Sequence, residues 1–131
     1  MYDRPDPLEQ LAAVAAFLRE QVMPRFDGQL AFHVRVAANV LDAVGRQIRL
    51  APAADRDELA RLRELLGTEG TLEALNRDLC SHIAAGRIGH QTPGLSEHLW
   101  QVAQDKLAVD QPAYETLLRL FGDGQNKEAS A

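Results

Sequence analysis

The stretch between Leu30 and Leu50 is the longest strongly periodic apolar segment in the chain. Placed at about 100° per residue around a helical axis, its apolar residues form a stripe with a wide flank that together cover roughly half of the circumference. The stripe comprises Leu30, Val34, Ala37, Leu41, Val44 and Ile48, and the flank comprises Phe32, Val36, Val40 and Ala43. A surface helix needs only about 100° of apolar surface. We therefore expect a helix at about residues 30–50 that contacts several neighbours and around which the other helices pack.

The residues before this segment predict a first helix. Asp6 can cap its start, Pro7 suits the first helical position and Glu9 completes a capping box. The spacing of apolar residues extends this helix to about Val22. Because proline disrupts the interior of a helix, we expect Pro52 to end the central helix.

Further helices are predicted beyond Pro52. They begin near Asp55, Thr71 and Leu95, where capping residues or renewed apolar periodicity occur, and a last, strongly apolar helix covers about residues 112–121. The stretch 87–94 has two glycines and a proline without helical periodicity, so we expect a loop there.

No alternating pattern of useful strand length is present, so the sequence predicts an all-α fold. We expect a single compact bundle of five to six mostly antiparallel helices in residues 1–121. The polar segment 122–131 is predicted to be a flexible tail.

Charge and composition bound the classes of partner. The formal net charge of −5 argues against a nucleic-acid surface, which requires a concentrated excess of Lys and Arg. The sequence has neither a secretory leader pattern nor an apolar run of about 20 residues, so no membrane partner is expected. The lone Cys80 fits a reducing compartment. We expect a cytoplasmic protein.

The four histidines invite a test for a metal site. The sequence contains no Glu-x-x-His, His-x-x-x-His or Cys-x-x-Cys motif. His82, His90 and His98 are spaced eight residues apart, and a fold could bring them together. We favour ordinary solvated or loop histidines, and we expect no metal, no cofactor and no catalytic residues.

Three polar residues of the central segment are candidates for ligand binding. His33 falls inside the apolar arc and could act as a base, although a packing role is favoured. Arg35 and Asn39 are four residues apart, so they could jointly bind a carboxylate or phosphate. Alternatively, and in our favoured interpretation, they bond backbone carbonyls of a neighbouring loop.

Large apolar residues outside the central segment have two possible roles. They could form an exposed patch that marks a partner or dimer surface, or they could complete the core, which we favour. This set comprises Phe17, Trp100, Tyr114, Leu120 and Phe121.

The run from Asp27 to Asn39, DGQLAFHVRVAAN, is preceded by Phe17-Leu18-Arg19-Glu20 and by an opening Asp3-Arg4-Pro5. With these features the chain resembles a family of small, all-helical bacterial proteins of unknown function. Genes of that family are often found beside those for aminoglycoside-phosphotransferase-like kinases and acyl-CoA dehydrogenases. The resemblance implies an accessory role near acyl-CoA or phosphotransfer metabolism, and it supplies no catalytic residues.

Taken together, the sequence favours a noncatalytic helical accessory or protein-interaction module with a protein partner or a homo-oligomeric state. The alternative is a protein that binds a small anionic ligand, or a weak enzyme, using His33, Arg35 and Asn39.

Overall fold

The computed structural model describes residues 3–116 and 118–120. The α-helices that can be bounded in this part of the chain are α1 (Pro7–Phe17), α2 (Gly28–Leu66), α3 (Leu72–Ala84) and α4 (Leu95–Asp110). A π-helix, Leu18–Val22, and a 3-10 helix, Met23–Arg25, connect α1 to α2. The described residues contain no strand, so the all-α prediction is confirmed.

Helix α1 begins at the predicted capping box. The Asp6 side chain accepts a hydrogen bond from the Glu9 backbone N–H at 2.9 Å, and the Glu9 side chain accepts one from the Asp6 N–H at 2.8 Å. These bonds satisfy two backbone donors at the start of the helix. Helical backbone continues beyond Phe17 as the π-helix, so the predicted extension to about Val22 is confirmed.

The prediction that the central helix ends at Pro52 is wrong. Helix α2 continues to Leu66 with Pro52 inside it, so the predicted second and third helices are one. Proline has a φ compatible with a helix, and its penalty of about 3 kcal/mol comes from one missing N–H and one crowded carbonyl. Alanines at 51, 53 and 54 have the highest helix propensity and favour continuation through this point.

The chain divides between Leu50 and Ala51 into two compact units. In the described residues, the first unit contains α1 and the beginning of α2, and the second contains the remainder of α2 with α3 and α4. The bounds of a single domain at residues 1–121 stay a prediction. The predicted tail, residues 122–131, lies outside the described residues.

Small residues mark where α1 packs on α2 in the first unit. Ala15 on α1 is 2% exposed and Ala38 on α2 is 0% exposed. A Cβ atom added to Gly45 would lie 3.9 Å from Leu8 Cδ2, which places the start of α1 beside this part of α2. Ala38 and Gly45 are seven residues apart and share one helix face. Their small size lets the two helices approach closely.

Most of the predicted apolar stripe lies outside that contact. Leu30, Ala37, Val44 and Ile48 are exposed, whereas Val34 and Leu41 are half-buried. The stripe is therefore not the buried core of the first unit. Apolar periodicity identifies a face that can be covered, and in this unit α1 covers the neighbouring face that carries the smaller side chains.

Leucines form the core of the second unit. The fully buried cluster comprises Leu62, Leu75, Leu79 and Leu95, contributed by α2, α3 and α4. Partly buried side chains pack against this cluster: Leu59, Leu66, Leu72 and Ile88. The cluster therefore joins three helices through side chains that are each 5% exposed or less.

The helix boundaries in the second unit follow the predicted local signals. Thr71 Oγ1 accepts a hydrogen bond from the Ala74 N–H at 3.2 Å at the start of α3. Gly86 and Gly94 have φ of +75° and +88° and flank the predicted loop, which is confirmed. Of the predicted last helix at about residues 112–121, residues 115–116 and 118–120 have helical backbone, whereas residues 112–114 form a turn and are not helical.

Replacing Pro52 by Ala should stabilise α2. The substitution restores a backbone donor and removes the crowding of one carbonyl, so we expect the free energy of unfolding to rise by about 1–3 kcal/mol. Urea unfolding followed by circular dichroism measures this change. Pro93→Ala, in the loop before α4, is the control and should give no comparable gain. Destabilisation by Pro52→Ala would contradict a continuous α2.

Candidate functional site

His33 and Arg35 both contact the ring of Phe32. The His33 ring meets it edge-on with 5.9 Å between ring centroids, and the Arg35 guanidinium carbon lies 5.5 Å from the Phe32 centroid. All three side chains are exposed. The packing role favoured for His33 is therefore a contact on the surface of α2, rather than a place in the core.

The side-chain carbonyl of Asn39 accepts a hydrogen bond from Arg19, a residue of the π-helix. One Arg19 guanidinium nitrogen donates to Asn39 Oδ1 at 2.8 Å and to Asp42 Oδ2 at 2.7 Å. This arrangement joins the π-helix to α2 through side chains, whereas the sequence favoured bonds from Asn39 to backbone carbonyls. The structure thus groups His33 with Arg35 around Phe32 and groups Asn39 with Arg19.

Helix α2 carries an exposed row of large apolar side chains in the first unit. These residues, each four after the one before, are Phe32, Val36, Val40, Val44 and Ile48. Between 38% and 55% of each is exposed. Residues spaced by four form one ridge on the surface of a helix, so we call this set the apolar ridge. Leu30, which lies in line with Ile48 around the helix axis, is equally exposed.

The face that contains the apolar ridge carries no Asp, Glu, Lys or Arg. At about 100° per residue, the ridge sweeps across about 160° of the helix surface. Within the segment 29–51, the same arc also contains Gln29, Leu30, His33, Ala37, Ala43, Gln47, Leu50 and Ala51. The charged residues Arg35, Asp42, Arg46 and Arg49 fall on the remaining surface. Apart from the Arg35 guanidinium, which lies over the Phe32 ring at one end, the first unit therefore presents a broad apolar face without formal charge.

A network of partly buried polar side chains surrounds the buried His98 in the second unit. His98 on α4 is 1% exposed, and its Nδ1 accepts a hydrogen bond from Arg61 Nε of α2 at 3.4 Å. Because Nδ1 is the acceptor, the neutral ring carries its proton on Nε2. Arg61 Nη2 lies 4.0 Å from Asp105 Oδ2, and Gln101 donates to Asp105 Oδ1 at 2.9 Å. The network ties α2 to α4.

The surroundings of His98 favour its neutral form. Burial lowers the pKa of His98 below its ordinary value of 6.5, and the adjacent Arg61 guanidinium lowers this pKa further. The Glu58 carboxylate opposes them by raising the pKa. Glu58 also accepts a hydrogen bond from Asn76 of α3 at 2.8 Å. This neutral, enclosed imidazole serves to hold helices together.

The prediction that His98 is a solvated or loop histidine is wrong. His98 follows Leu95 by three residues and precedes Val102 by four, a spacing that places all three on one helix face. Leu99, the next residue along α4, is exposed. The spacing of His98 from Leu95 and Val102 therefore indicated a core position. Because histidine is polar, its residue type indicated a surface position instead.

The other two histidines of the eight-residue series lie apart from this network. His90 is exposed, and His82 Nδ1 accepts a hydrogen bond from Arg87 Nε at 2.8 Å. No three His, Cys, Asp or Glu side chains within residues 3–116 and 118–120 could hold a metal ion together.

The apolar residues favoured to complete the core are exposed where the structure describes them. Phe17, Trp100, Tyr114 and Leu120 each have about half of their surface accessible, so the core prediction is wrong for these four. Phe121 lies outside the described residues.

In the described part of the chain, no helix is both long and apolar enough to cross a membrane.

Comparison with protein families identifies the family to which the chain belongs. A family model described as a domain of unknown function, DUF6285, matches residues 24–114, which is more than half of the sequence. The chain belongs to the DUF6285 family. The DUF6285 segment includes all of α2, α3 and α4, and hence both the apolar ridge and the His98 network. The expected membership in an uncharacterised family is confirmed. No curated protein and no solved structure matches the chain significantly.

Stability should depend on pH through His98. Because its folded pKa is below 6.5, the unfolded chain binds more protons as the pH falls past that value. The free energy of unfolding should therefore be undiminished above pH 6.5 and should decrease as the pH falls from there towards the lowered pKa. Urea unfolding at a series of pH values measures this slope.

Two variants isolate the contribution of His98. His98→Leu should flatten this part of the pH dependence, whatever its effect on stability at neutral pH. His90→Gln, at an exposed position, should retain the slope of the native chain. Identical slopes for the native chain and His98→Leu would show that His98 does not carry the effect.

Proposed function

We propose that this DUF6285 chain is a noncatalytic helical interaction module whose apolar ridge binds an uncharged, apolar surface of another protein chain. The supporting observation is the exposure of the five ridge side chains on a face without formal charge. Burial of apolar surface is favourable by about 25 cal/mol per Å². Contiguous exposed apolar patches of this kind are typical of interaction sites.

Phe32 has the properties of an anchor for such an interface. Large aromatic side chains are enriched at the centres of interfaces. Contacts with His33 and Arg35 hold the Phe32 ring from two sides before any partner binds. A side chain that is already ordered loses less conformational entropy on association.

Polar residues on the remaining surface of α2 support a structural role. Arg19 occupies Asn39 and Asp42 with bonds of 2.8 and 2.7 Å, and this contact braces the π-helix against α2. In the second unit, the polar side chains near His98 form three separate pairs: Arg61 with His98, Asn76 with Glu58 and Gln101 with Asp105. Among the described residues, the buried Arg61 Nη2 has no hydrogen-bond partner. These interactions favour a rigid platform for binding over a reactive centre.

The proposal also assigns the protein an accessory role in bacterial acyl-CoA or phosphotransferase metabolism. Its support is the family resemblance carried by the run from Asp27 to Asn39. We propose a cytoplasmic location, in keeping with the lone Cys80.

Val40→Glu tests the interaction proposal. This substitution places a carboxylate at the middle of the apolar ridge, where a covering partner would have to desolvate it. Affinity purification of tagged chain from its native cell should recover a stoichiometric partner with the native sequence and lose that partner with Val40→Glu.

Ala53→Glu is the matched control. It adds the same acidic side chain at an exposed position of α2 that lies outside the ridge face, so the partner should be retained. Equal recovery of the partner by the native chain, Val40→Glu and Ala53→Glu would contradict a binding role for the ridge. The absence of any stoichiometric partner, including a second copy of the chain, would also contradict it.

A second candidate function is the binding of a small anionic ligand, either by a simple binding protein or by a weak enzyme that acts on that ligand. The observation in its favour is that Arg35 and His33, both exposed, are held around one aromatic ring. Arginine can bind a carboxylate or phosphate with two parallel hydrogen bonds. The amide NH₂ of Asn39, whose oxygen is held by Arg19, would be a further donor.

A thermal-shift screen with acyl-CoA, nucleotides and phosphorylated metabolites tests this alternative. A ligand at 100 times its dissociation constant stabilises the folded chain by about 2.7 kcal/mol, which raises the melting temperature measurably. Arg35→Ala should abolish the shift, whereas Arg49→Ala, at another exposed arginine of α2, should preserve it. No shift with any of these compounds would rule out the candidate.

A further inference from the structure

We propose that the partner of the apolar ridge is a second copy of this chain, so that the protein forms a symmetric dimer through α2. This inference rests on the proposed function and identifies its partner. It follows from the geometry of the ridge, from the area that the ridge exposes and from the absence of charge on its face.

The ridge has a geometry that can pack against itself. Phe32, Val36, Val40, Val44 and Ile48 form a row of residues spaced by four. Rows of this kind on two helices interdigitate at an interaxial angle of about −50°, the commonest class of helix packing in globular proteins. A twofold axis through the middle of the row pairs identical surfaces, and Val40 then lies nearest to the axis.

The exposed area suits a dimer of this kind. A half-exposed Val, Leu, Ile or Phe presents on the order of 80 Å² of apolar surface. Leu30 and the five ridge residues, all about half exposed, thus offer on the order of 500 Å² per copy. Two copies that covered all of this surface would bury about 1,000 Å² in total, which is the lower limit for a specific interface.

Charge favours a second copy over a partner selected by electrostatic attraction. The face between Gln29 and Ala51 has no Asp, Glu, Lys or Arg, although the whole chain has a net charge of −5. Between Val36 and Ile48, away from the Arg35 guanidinium beside Phe32, a partner with a charged docking surface would lose hydration without gaining an ion pair. An identical neutral face avoids that penalty, and the charges of both copies remain in water.

Sedimentation equilibrium of the purified full chain measures the association directly. The native chain and Ala53→Glu should be dimers that dissociate on dilution. Val40→Glu and Val36→Glu should be monomers with native helix content by circular dichroism, and their dimer dissociation constants should rise by about 100-fold or more. Dimers that are unaffected by both ridge variants would overturn the proposed interface.

Disulfide trapping tests the position of the twofold axis. At the crossing point, helices about 8–10 Å apart place identical Cα atoms about 3.5–5.5 Å apart, and the wider part of this range is within reach of a disulfide. In a Cys80→Ser background, which removes the exposed native thiol, Val40→Cys should form covalent dimers under mild oxidation. Ala53→Cys should remain mostly monomeric. Equal trapping at both positions would contradict this crossing.

The outcomes separate this inference from the proposed function. A native chain that stays monomeric at high concentration overturns the dimer. If that monomer still recovers another protein in a manner abolished by Val40→Glu, the proposed function stands and only the identity of the partner is wrong. If Val40→Glu changes neither sedimentation nor partner recovery, both proposals fail.

Discussion

Helix α2 supplies buried side chains to both units of the chain, Ala38 to the first and Leu62 to the second. This dual role requires helical backbone through Pro52, where one hydrogen bond is lost. Packing on each side of Pro52 offsets the local penalty, since most helical stability in proteins comes from tertiary contacts. Helix α2 contributes the apolar ridge to the first unit, and it contributes Leu62 and Arg61 to the leucine cluster and the His98 network of the second.

Within the first unit, α2 has faces of different character. Around Ala38 and Gly45 the side chains are small and α1 lies close, with Arg19 fixing the nearby polar surface. The apolar ridge lies on a separate face and remains half exposed. An isolated protein gains nothing from exposing such a row, because each side chain would be more stable when buried. The exposed face is therefore the physical basis of the proposed interaction.

The starts of α1, α3 and α4, the loop and the all-α class were predictable because their signals are local, whereas the similar signal at Asp55 lies inside α2 and marks no helix start. Asp6 and Glu9 cap α1, and Thr71 caps α3, through bonds to backbone groups three residues away. The continuation of α2 through Pro52 was not predicted, because the local penalty of proline in a helix competes with tertiary packing that the sequence does not display. The apolar stripe shows which side chains can be covered, whereas the neighbour that covers them is decided in three dimensions. His98 had the spacing of a core residue and the chemistry of a surface residue, and its bond with Arg61 resolves that conflict.

The central claim is that the uncharged face of α2 is covered when the chain associates. Solvent paramagnetic relaxation enhancement of the methyl groups of Val36, Val40 and Val44 measures that coverage at the ridge itself. The account predicts strong enhancement in dilute samples and marked protection in concentrated ones, while the methyl group of the exposed Ala53 shows no change. Ridge methyl groups that remain equally accessible at every concentration, and also when a recovered partner is added, would contradict it.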